Sequence, residues 1–349
     1  METEHVVHVG DARSMTGLED DSIDLVVTSP PYPMIELWDD TFETLDPGVR
    51  DRLDAGDGWG AYERMHACLD PVWDEVERTL RPGGIACVNV GDATRSVDGE
   101  FVRYPNHERV LRALRERGLR PLPDVLWRKP TNRVTKFMGS GTLPPNAYVT
   151  LEHEYVLVFR NGGLRSVDDP DRRHESAYFW EERNEWFSDV WTDLTGTLQS
   201  LTGSAATAER ERSGAFPFEL PYRLINMYSV YDDRVLDPFW GTGTTSLAAM
   251  VAGRNSVGYE LDGALVDAFE GHVDDLPSFS RTVTGERLDR HRSFVEDRRE
   301  SGDEPKYRAR HYDFPVITKQ ERSIRLYEAT SVERDAGPPR RYLVDYAPR

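Results

Sequence analysis

The sequence predicts an α/β fold built on a doubly wound, mostly parallel sheet. Three observations support this class: apolar strand patterns alternate with helical ones, strands end in glycine- or proline-rich turns, and 349 residues suffice for one large core. Sheets of this kind bind ligands beyond the carboxyl ends of their strands. We therefore look for function in the loops that follow the predicted strands.

Strands and helices follow one another along most of the chain. Apolar runs predict strands at Val6 to Ala12, Ile23 to Thr28, Ile85 to Val90, Val125 to Trp127, Tyr155 to Phe159, Val235 to Phe239 and Ser256 to Leu261. Apolar residues at helical spacing predict helices at Tyr62 to Leu80, His107 to Arg117, Glu219 to Tyr228 and Thr245 to Ala252.

The C-terminal part of the sequence has a different character. From Gly271 onward it is rich in charge, and we expect the run Glu296 to Lys306 to be a solvated loop. The alternating segment His311 to Tyr327 predicts one or two strands. The long acidic stretch Met34 to Trp59 follows a strand, and we expect it to cover the ligand site.

Composition excludes several classes of protein. The two cysteines, Cys68 and Cys87, fall in a helical and an apolar stretch, which excludes a disulfide framework. The sequence has no Cys-x-x-Cys pair and no histidine pair at the spacing of a helical metal site, so we expect no metal. It also has no long apolar run and no secretory leader pattern, which predicts a cytoplasmic protein without a membrane partner.

The charge is strongly negative. The chain has 62 acidic and 43 basic residues, of which only four are lysines, and its net charge is −19. Such a surface is typical of proteins adapted to high intracellular salt, where screening removes the self-repulsion. The sequence thus suggests a halophilic source.

One motif near the C-terminal side has the form of a cofactor loop. The segment Phe239-Trp-Gly-Thr-Gly-Thr-Thr follows a predicted strand, and Gly241 and Gly243 allow a sharp turn and close approach of a ligand. Thr244 is a natural cap for the next helix. Glu260 ends the following strand, where a carboxylate can accept hydrogen bonds from ribose hydroxyls. A lone Gly-x-Gly turn can also merely join strand to helix.

The segment Ser29-Pro-Pro-Tyr32, which follows the predicted strand Ile23 to Thr28, is the second motif. With the cofactor loop later in the chain, this pair resembles the amino-methylating DNA methyltransferases of the permuted kind, in which the catalytic loop precedes the cofactor loop. The dinucleotide fingerprint fails because Ser246 stands where its third glycine belongs. That failure favours S-adenosylmethionine, which has no pyrophosphate, over NAD.

The resemblance implies a role for each motif residue. Phe239, Gly241, Gly243, Thr244 and Glu260 would form the cofactor site. Asp237 would lie near the methionine ammonium, and Asp11 would meet the adenine amino group.

An exocyclic amino nitrogen is a poor nucleophile because its lone pair is conjugated into the base. Two acceptors, the Ser29 hydroxyl and the Pro30 carbonyl, would localise that pair and aim it at the methyl group. Pro30 and Pro31 hold these acceptors rigid. Tyr32 would stack on the base after the base leaves the duplex.

The target base and the DNA surface are less directly encoded. Serine at the first loop position is typical of enzymes that methylate N4 of cytosine, whereas aspartate is typical of N6 of adenine. The window from Val125 to Leu151 contains no Asp or Glu. We expect it to contact DNA through Arg128, Lys129, Arg133 and Lys136, although these cations could instead pair with acids elsewhere.

The resulting prediction is a site-specific cytosine-N4 DNA methyltransferase. Residues 1–270 would form the catalytic core, residues 125–215 within it the target-recognition region, and residues 271–349 an extension. Duplex DNA would be the partner, together with a cognate restriction enzyme. The acidic composition and the resemblance suggest the haloarchaeal enzymes that act on CTAG. Adenine-N6 methylation, methylation of RNA or a small molecule, and non-catalytic DNA binding remain alternatives.

Overall fold

The structure is a computed structural model that describes residues 1–129, 139–194 and 216–349. Its strands are β1 Glu2–Val9, β2 Ile23–Thr28, β3 Leu80–Val90, β4 Ala93–Val97, β5 Glu100–Tyr104, β6 Arg120–Pro121, β7 Val125–Arg128, β8 His153–Arg160, β9 Val190–Trp191, β10 Arg234–Asp237, β11 Asn255–Glu260, β12 Tyr307–Arg308, β13 Pro315–Val316, β14 Tyr327–Asp335 and β15 Arg340–Pro348.

The helices lie mostly between these strands. They are α1 Asp39–Leu45, α2 Gly48–Asp54, α3 Gly58–Thr79, α4 Asn106–Glu116, α5 Pro170–Glu175, α6 Trp180–Trp186, α7 Glu219–Tyr228, α8 Thr244–Ala252, α9 Gly263–Ala268, α10 Glu270–Asp274 and α11 Leu276–Glu300. Short 3-10 helices cover Glu36–Trp38 and Gln320–Ser323. None of the helices described is long and apolar enough to cross a membrane.

One large sheet organises the molecule. Its order is β14-β15-β1-β11-β10-β2-β3-β8-β7-β9, with β6 beside β8. The five central strands β1, β11, β10, β2 and β3 are parallel to one another, and the strands next to them, β15 and β8, pair antiparallel. This arrangement is the predicted mostly parallel α/β sheet.

Helices pack on both faces of the sheet because its central strands are apolar on both faces. Val26 and Leu236 belong to the core beneath α3 and α4, whereas Leu25, Val27 and Val235 belong to the core beneath α7 and α8. Alternation along each strand sends neighbouring side chains to opposite faces. The strand order reverses between β10 and β2: β10 continues outward to β11, and β2 continues the other way to β3. Such a switch point leaves a crevice.

The C-terminal part departs from the sequence expectations in two places. The charged run Glu296 to Lys306 is not all loop, because α11 continues to Glu300. Polar side chains such as Ser280, Thr284 and His291 occupy buried positions of this helix, which hid it from a search for apolar periodicity.

The strands expected at His311 to Tyr327 also lie elsewhere. That segment holds the two-residue strand β13 and a 3-10 helix, whereas the long strands β14 and β15 follow it and extend the main sheet. On β15, Tyr342, Val344 and Tyr346 are buried and alternate with more exposed residues. That alternation was the available signal.

Candidate active site

A cavity of about 690 Å³ opens at the carboxyl ends of β2 and β10, at the switch point of the sheet. Its volume lies within the usual range of small-molecule sites. Predicted site residues from several separate stretches of the chain line it: Asp11, Ser29, Pro30, Pro31, Tyr32, Lys129, Asp237, Phe239, Gly241, Thr244 and Glu260. The fold therefore brings the two motif loops to one cavity.

A direct contact joins the two loops. β2 and β10 are neighbouring parallel strands, although they lie far apart in the sequence. At their ends the buried Thr28 hydroxyl donates a hydrogen bond to Asp237 Oδ1 over 2.6 Å. Ser29 follows Thr28, so this bond fixes the start of one loop against the end of the other strand.

The two glycines of the Gly-x-Gly turn have different environments. Gly241 has a φ of +54°, and a Cβ placed there would meet only the Phe239 carbonyl oxygen, at 3.9 Å. Gly243 also has a positive φ, but a Cβ there would lie 2.5 Å from Phe269 and 2.6 Å from Trp240. Gly241 thus leaves space in the cavity, whereas Gly243 is needed for packing and does not line the cavity.

Trp240 explains two further residues near the turn. Its indole N–H donates to the Ser246 hydroxyl over 2.8 Å, so the residue at the failed third-glycine position belongs to the core. The same ring lies over Gly258 on β11, where a Cβ would come within 2.0 Å of it. Both contacts hold the turn against the neighbouring strand.

Two carboxylates face the cavity in a poorly solvated environment. Burial raises the pKa of Asp237 to about 6, despite hydrogen bonds from the Thr28 and Thr245 hydroxyls and the Phe239 amide that favour its ionised form. Burial also raises the pKa of Glu260, whose oxygens accept backbone N–H bonds from Gly241 and Asp262. Carboxylates held this way are stabilised by a cationic ligand.

Asp11 also lines the cavity, and the amide of its neighbour Gly10 donates to the Glu260 carbonyl over 2.8 Å. The Asp11 carboxylate accepts two hydrogen bonds from the Arg13 guanidinium, at 2.6 and 2.8 Å, and one from the Arg13 amide at 2.9 Å. The Arg13 contacts, against a smaller effect of burial, lower the pKa of Asp11. This carboxylate is therefore ionised and oriented beside the cavity.

Tyr32 is held by polar residues that sequence analysis missed. Its hydroxyl lies 2.9 Å from Ser29 Oγ, 3.0 Å from Glu154 Oε2 and 2.9 Å from Asn89 Nδ2. Glu154 in turn accepts a 2.7 Å hydrogen bond from Lys129 Nζ. Asn89 is the one polar residue in the apolar run Ile85 to Val90 of β3, and Glu154 lies near the start of β8, just before the apolar run Tyr155 to Phe159.

The stretch Met34 to Trp59, expected to cover the ligand site, contains helices that border the cavity. Ile35, Trp38 and Leu45 line it. Asp39 accepts two hydrogen bonds of 2.8 Å from Arg95, which joins this stretch to the hairpin β4–β5.

The four cations predicted to contact DNA are not all placed alike. Arg133 and Lys136 lie outside the described residues. Lys129 points to Glu154 and lines the cavity, and Arg128, 60% exposed, lies 3.1 Å from Glu152. Both described cations therefore have carboxylate partners just beyond the acid-free window.

The comparison with known families agrees with this geometry. Residues 23–270 match the N6/N4 methyltransferase family, described as DNA methylase. The chain belongs to this family.

Relatives of this DNA methylase match it over most of their length. The type II methyltransferase M.MthZI of Methanothermobacter thermautotrophicus is 50% identical over 331 residues, which cover 94% of this chain and 91% of that protein. The type II methyltransferase M.MjaI of Methanocaldococcus jannaschii is 47% identical over 283 residues, covering 78% and 91%.

The solved structure of a related protein contains a bound cofactor. The Thermus thermophilus protein TTHA0409, complexed with S-adenosyl-L-methionine, is 31% identical, with a TM-score of 0.57 and coverage of 76% of this chain and 91% of that chain. The DNA methylase is thus S-adenosylmethionine-dependent, which confirms the predicted fold class and cofactor. The cavity suits this positively charged ligand, because the buried Asp237 and the partly buried Glu260 place two carboxylates on its lining.

Proposed function

We propose that the DNA methylase transfers a methyl group to the exocyclic N4 amino group of cytosine at a specific site in duplex DNA. The observation that carries the proposal is the position of Ser29, which lines the cavity beside the carboxylates and follows the strand adjacent to β10. A serine hydroxyl can accept an amino N–H bond at that edge. Serine rather than aspartate at this loop position favours cytosine over adenine.

S-adenosylmethionine, when bound, supplies an electrophilic methyl group. Three carboxylates would hold the cofactor: Glu260 would accept hydrogen bonds from the ribose hydroxyls, Asp237 would pair with the methionine ammonium, and Asp11 would accept from the adenine amino group. Phe239 and Gly241 form the wall of the site. The edge-to-face contact of Phe239 with Trp73, with ring centres 5.8 Å apart, fixes that wall.

Ser29 and Pro30 act on the amino nitrogen. Their oxygens accept its two N–H bonds, which weakens conjugation of the lone pair with the ring and orients that pair for in-line attack. The nitrogen would bond to the methyl carbon as the sulfur–carbon bond breaks, S-adenosylhomocysteine would leave, and the surplus proton on the nitrogen would pass to solvent. Tyr32 stacks on the flipped base through its ring, which lies beside Gly91.

The acid-free window from Val125 to Leu151 is the proposed DNA surface, with Arg128, Arg133 and Lys136 directed at phosphates. Lys129 has a different task, since it pairs with buried Glu154. The acidic composition supports a halophilic cytoplasm as the setting, and CTAG is the first recognition sequence to test. A restriction enzyme with the same specificity would be the functional partner.

Product analysis tests this function directly. The protein is incubated in molar KCl with methyl-labelled cofactor and, separately, CTAG-containing duplex DNA and RNA, and nucleosides are separated by mass spectrometry. N4-methylcytosine from DNA alone supports the proposal. N6-methyladenine in DNA would show that the target base is adenine. Label in RNA alone would show that RNA is the substrate. No label in either nucleic acid would favour a non-catalytic DNA-binding protein.

A further inference from the structure

A chain of polar side chains runs behind the catalytic loop and ends at Ser29. Lys129 Nζ lies 2.7 Å from Glu154 Oε1, Glu154 Oε2 lies 3.0 Å from the Tyr32 hydroxyl, and that hydroxyl lies 2.9 Å from Ser29 Oγ. Asn89 Nδ2 donates to Tyr32 and to Glu154 Oε2 over 2.9 and 2.7 Å. Ser29, at the open end, lines the cavity.

The positions of the hydrogen atoms follow from the donors available. Asn89 Nδ2 donates to the Tyr32 oxygen, so the tyrosine has one proton to give and three candidate acceptors: Ser29, Glu154 and, at 3.5 Å, the Asn89 carbonyl oxygen. If that proton pointed to Ser29 or to the Asn89 carbonyl, the Tyr32 oxygen and the Glu154 carboxylate would face each other at 3.0 Å with no hydrogen between them. Two acceptors at that distance repel, and the carboxylate is only 8% exposed to water.

The Tyr32 proton therefore goes to Glu154. The 2.9 Å contact between Tyr32 and Ser29 then requires the Ser29 proton, which must point back toward the tyrosine. Both lone pairs of the Ser29 oxygen are left for groups in the cavity. Unlike an aspartate, a serine is an acceptor in that direction only if its own proton is placed elsewhere.

We propose that Glu154 is a positioning residue that acts through Tyr32 to fix the Ser29 hydroxyl as a hydrogen-bond acceptor for the target amino group. The inference rests on the proposed function, since it specifies how Ser29 receives that group. Lys129 Nζ pairs directly with the buried Glu154 carboxylate over 2.7 Å. We call the hydrogen-bond chain from Glu154 through Tyr32 to Ser29 the relay. Burial and the nearby Glu154 carboxylate raise the pKa of the Tyr32 phenol, so the tyrosine keeps the proton that the relay needs.

The variants that test the relay are Tyr32→Phe and Glu154→Gln. Tyr32→Phe keeps the ring but removes the hydroxyl, and Glu154→Gln keeps the shape but offers Tyr32 an amide donor in place of an acceptor. Each should lower the single-turnover methyl-transfer rate by roughly 10- to 100-fold, the value of a charge-assisted hydrogen bond, without changing the dissociation constant of S-adenosylmethionine. The double variant should be no slower than Tyr32→Phe alone.

A matched control is Glu182→Gln. Glu182 is also a buried carboxylate paired with a cation, Arg287. It lies in α6 and does not line the cavity. This variant should lose stability but keep its single-turnover methyl-transfer rate, measured at saturating duplex DNA and at temperatures where it is folded. Circular dichroism on all variants keeps folding separate from rate.

The outcomes distinguish failure of the relay from failure of the proposed function, DNA methylation. If wild type methylates DNA and Glu154→Gln and Tyr32→Phe do so at the native rate, the relay is wrong and the proposed function stands. Independent, multiplying losses in the double variant also overturn the relay. If wild type transfers no methyl group to DNA, both fail. Should Glu154→Gln not fold, Tyr32→Phe at the native rate overturns the relay by itself.

Discussion

Glu154 and Glu182 are both buried glutamates, and each is paired with a cation, but their surroundings differ. Glu182 accepts two hydrogen bonds from Arg287, at 2.6 and 2.8 Å, and one from the backbone of Phe179. These contacts tie α6 to α11. Glu154 has Lys129 on one oxygen, and its other oxygen leads through Tyr32 to Ser29 at the cavity. Burial alone therefore does not identify a functional carboxylate. The distinguishing feature is whether its hydrogen-bond partners connect it to the cavity.

The same contrast holds between two regions of the molecule, the C-terminal extension and the carboxyl ends of β2 and β10. Around the C-terminal extension, residues such as Phe179, Leu288, Phe314 and Ile324 form a closed apolar cluster. His291 in that region uses both ring nitrogens, toward Glu181 and the Pro315 carbonyl, so its polar groups are satisfied within the protein. At the carboxyl ends of β2 and β10, by contrast, Asp237 and Glu260 keep raised pKa values facing open space. In the C-terminal region polar groups pair with one another inside the protein, whereas the carboxylates of the site face the cavity, where a ligand can pair with them.

The largest effect should come from breaking the buried ion pair between Arg287 and Glu182. Arg287 is 3% exposed, and Arg287→Met would leave the Glu182 carboxylate buried without its cation. We expect the free energy of unfolding to fall by about 3 to 5 kcal/mol, measured by denaturant titration in molar salt. The double variant Arg287→Met/Glu182→Met should recover much of that loss. An equal loss from Glu154→Gln and Arg287→Met in both stability and rate would erase the distinction between the two carboxylates.

Next in size is the effect of Glu260 on the cofactor. Glu260→Ala should weaken S-adenosylmethionine binding by roughly 1.5 to 3 kcal/mol, because it removes charge-assisted acceptors for the ribose. Titration calorimetry measures this, with Glu328→Ala, far along the chain on β14, as the control. Unchanged affinity in Glu260→Ala would remove this carboxylate from the site.

A pH dependence should follow from Asp237. Its pKa is raised to about 6, so below that pH the free site holds a proton where the ammonium binds. Cofactor affinity should be constant above about pH 7 and fall by about tenfold between about pH 7 and pH 5, since proton and ligand compete for the same carboxylate. In Asp237→Asn the affinity should be lower and should no longer show this step. A wild-type affinity that rises on acidification would contradict the assignment.

The smallest effect belongs to the DNA surface. Replacing Arg133 and Lys136 with Ala should reduce methylation several-fold at limiting DNA while leaving cofactor binding unchanged, because high salt already screens most of the phosphate attraction. The matched control replaces the exposed pair Lys306 and Lys319, which lies outside the acid-free window. Equal losses in both double variants would indicate a general charge effect instead of a contact surface.

Local patterns predicted more of this protein than long-range ones did. The strands beneath both motif loops are apolar runs, so β2, β3, β10 and β11 were readable from sequence. That β10 lies directly beside β2 depends on strand order, which local pattern does not contain. The sequence did not predict helix α11, because an ion pair and hydroxyls, as well as apolar residues, fill its buried face.

Within the site, sequence reasoning found the loops and missed their supports. Ser29 and Glu260 lie at strand ends and belong to motifs, which made them visible. Asn89 lies inside an apolar run and Glu154 lies just before one, and their shared role arises only where β3 and β8 pair. Asn89 Oδ1 is buried without a hydrogen-bond partner among the described residues, a cost that sequence cannot reveal.

The most direct test of the account is the single-turnover rate of Ser29→Ala at saturating S-adenosylmethionine and duplex DNA. The central claim is that Ser29 acts on the target amino group and not on the cofactor. The variant should transfer the methyl group about 100-fold more slowly than wild type, with the cofactor dissociation constant unchanged. Transfer at the native rate would contradict the claim, because the chemistry would then take place without the Ser29 hydroxyl.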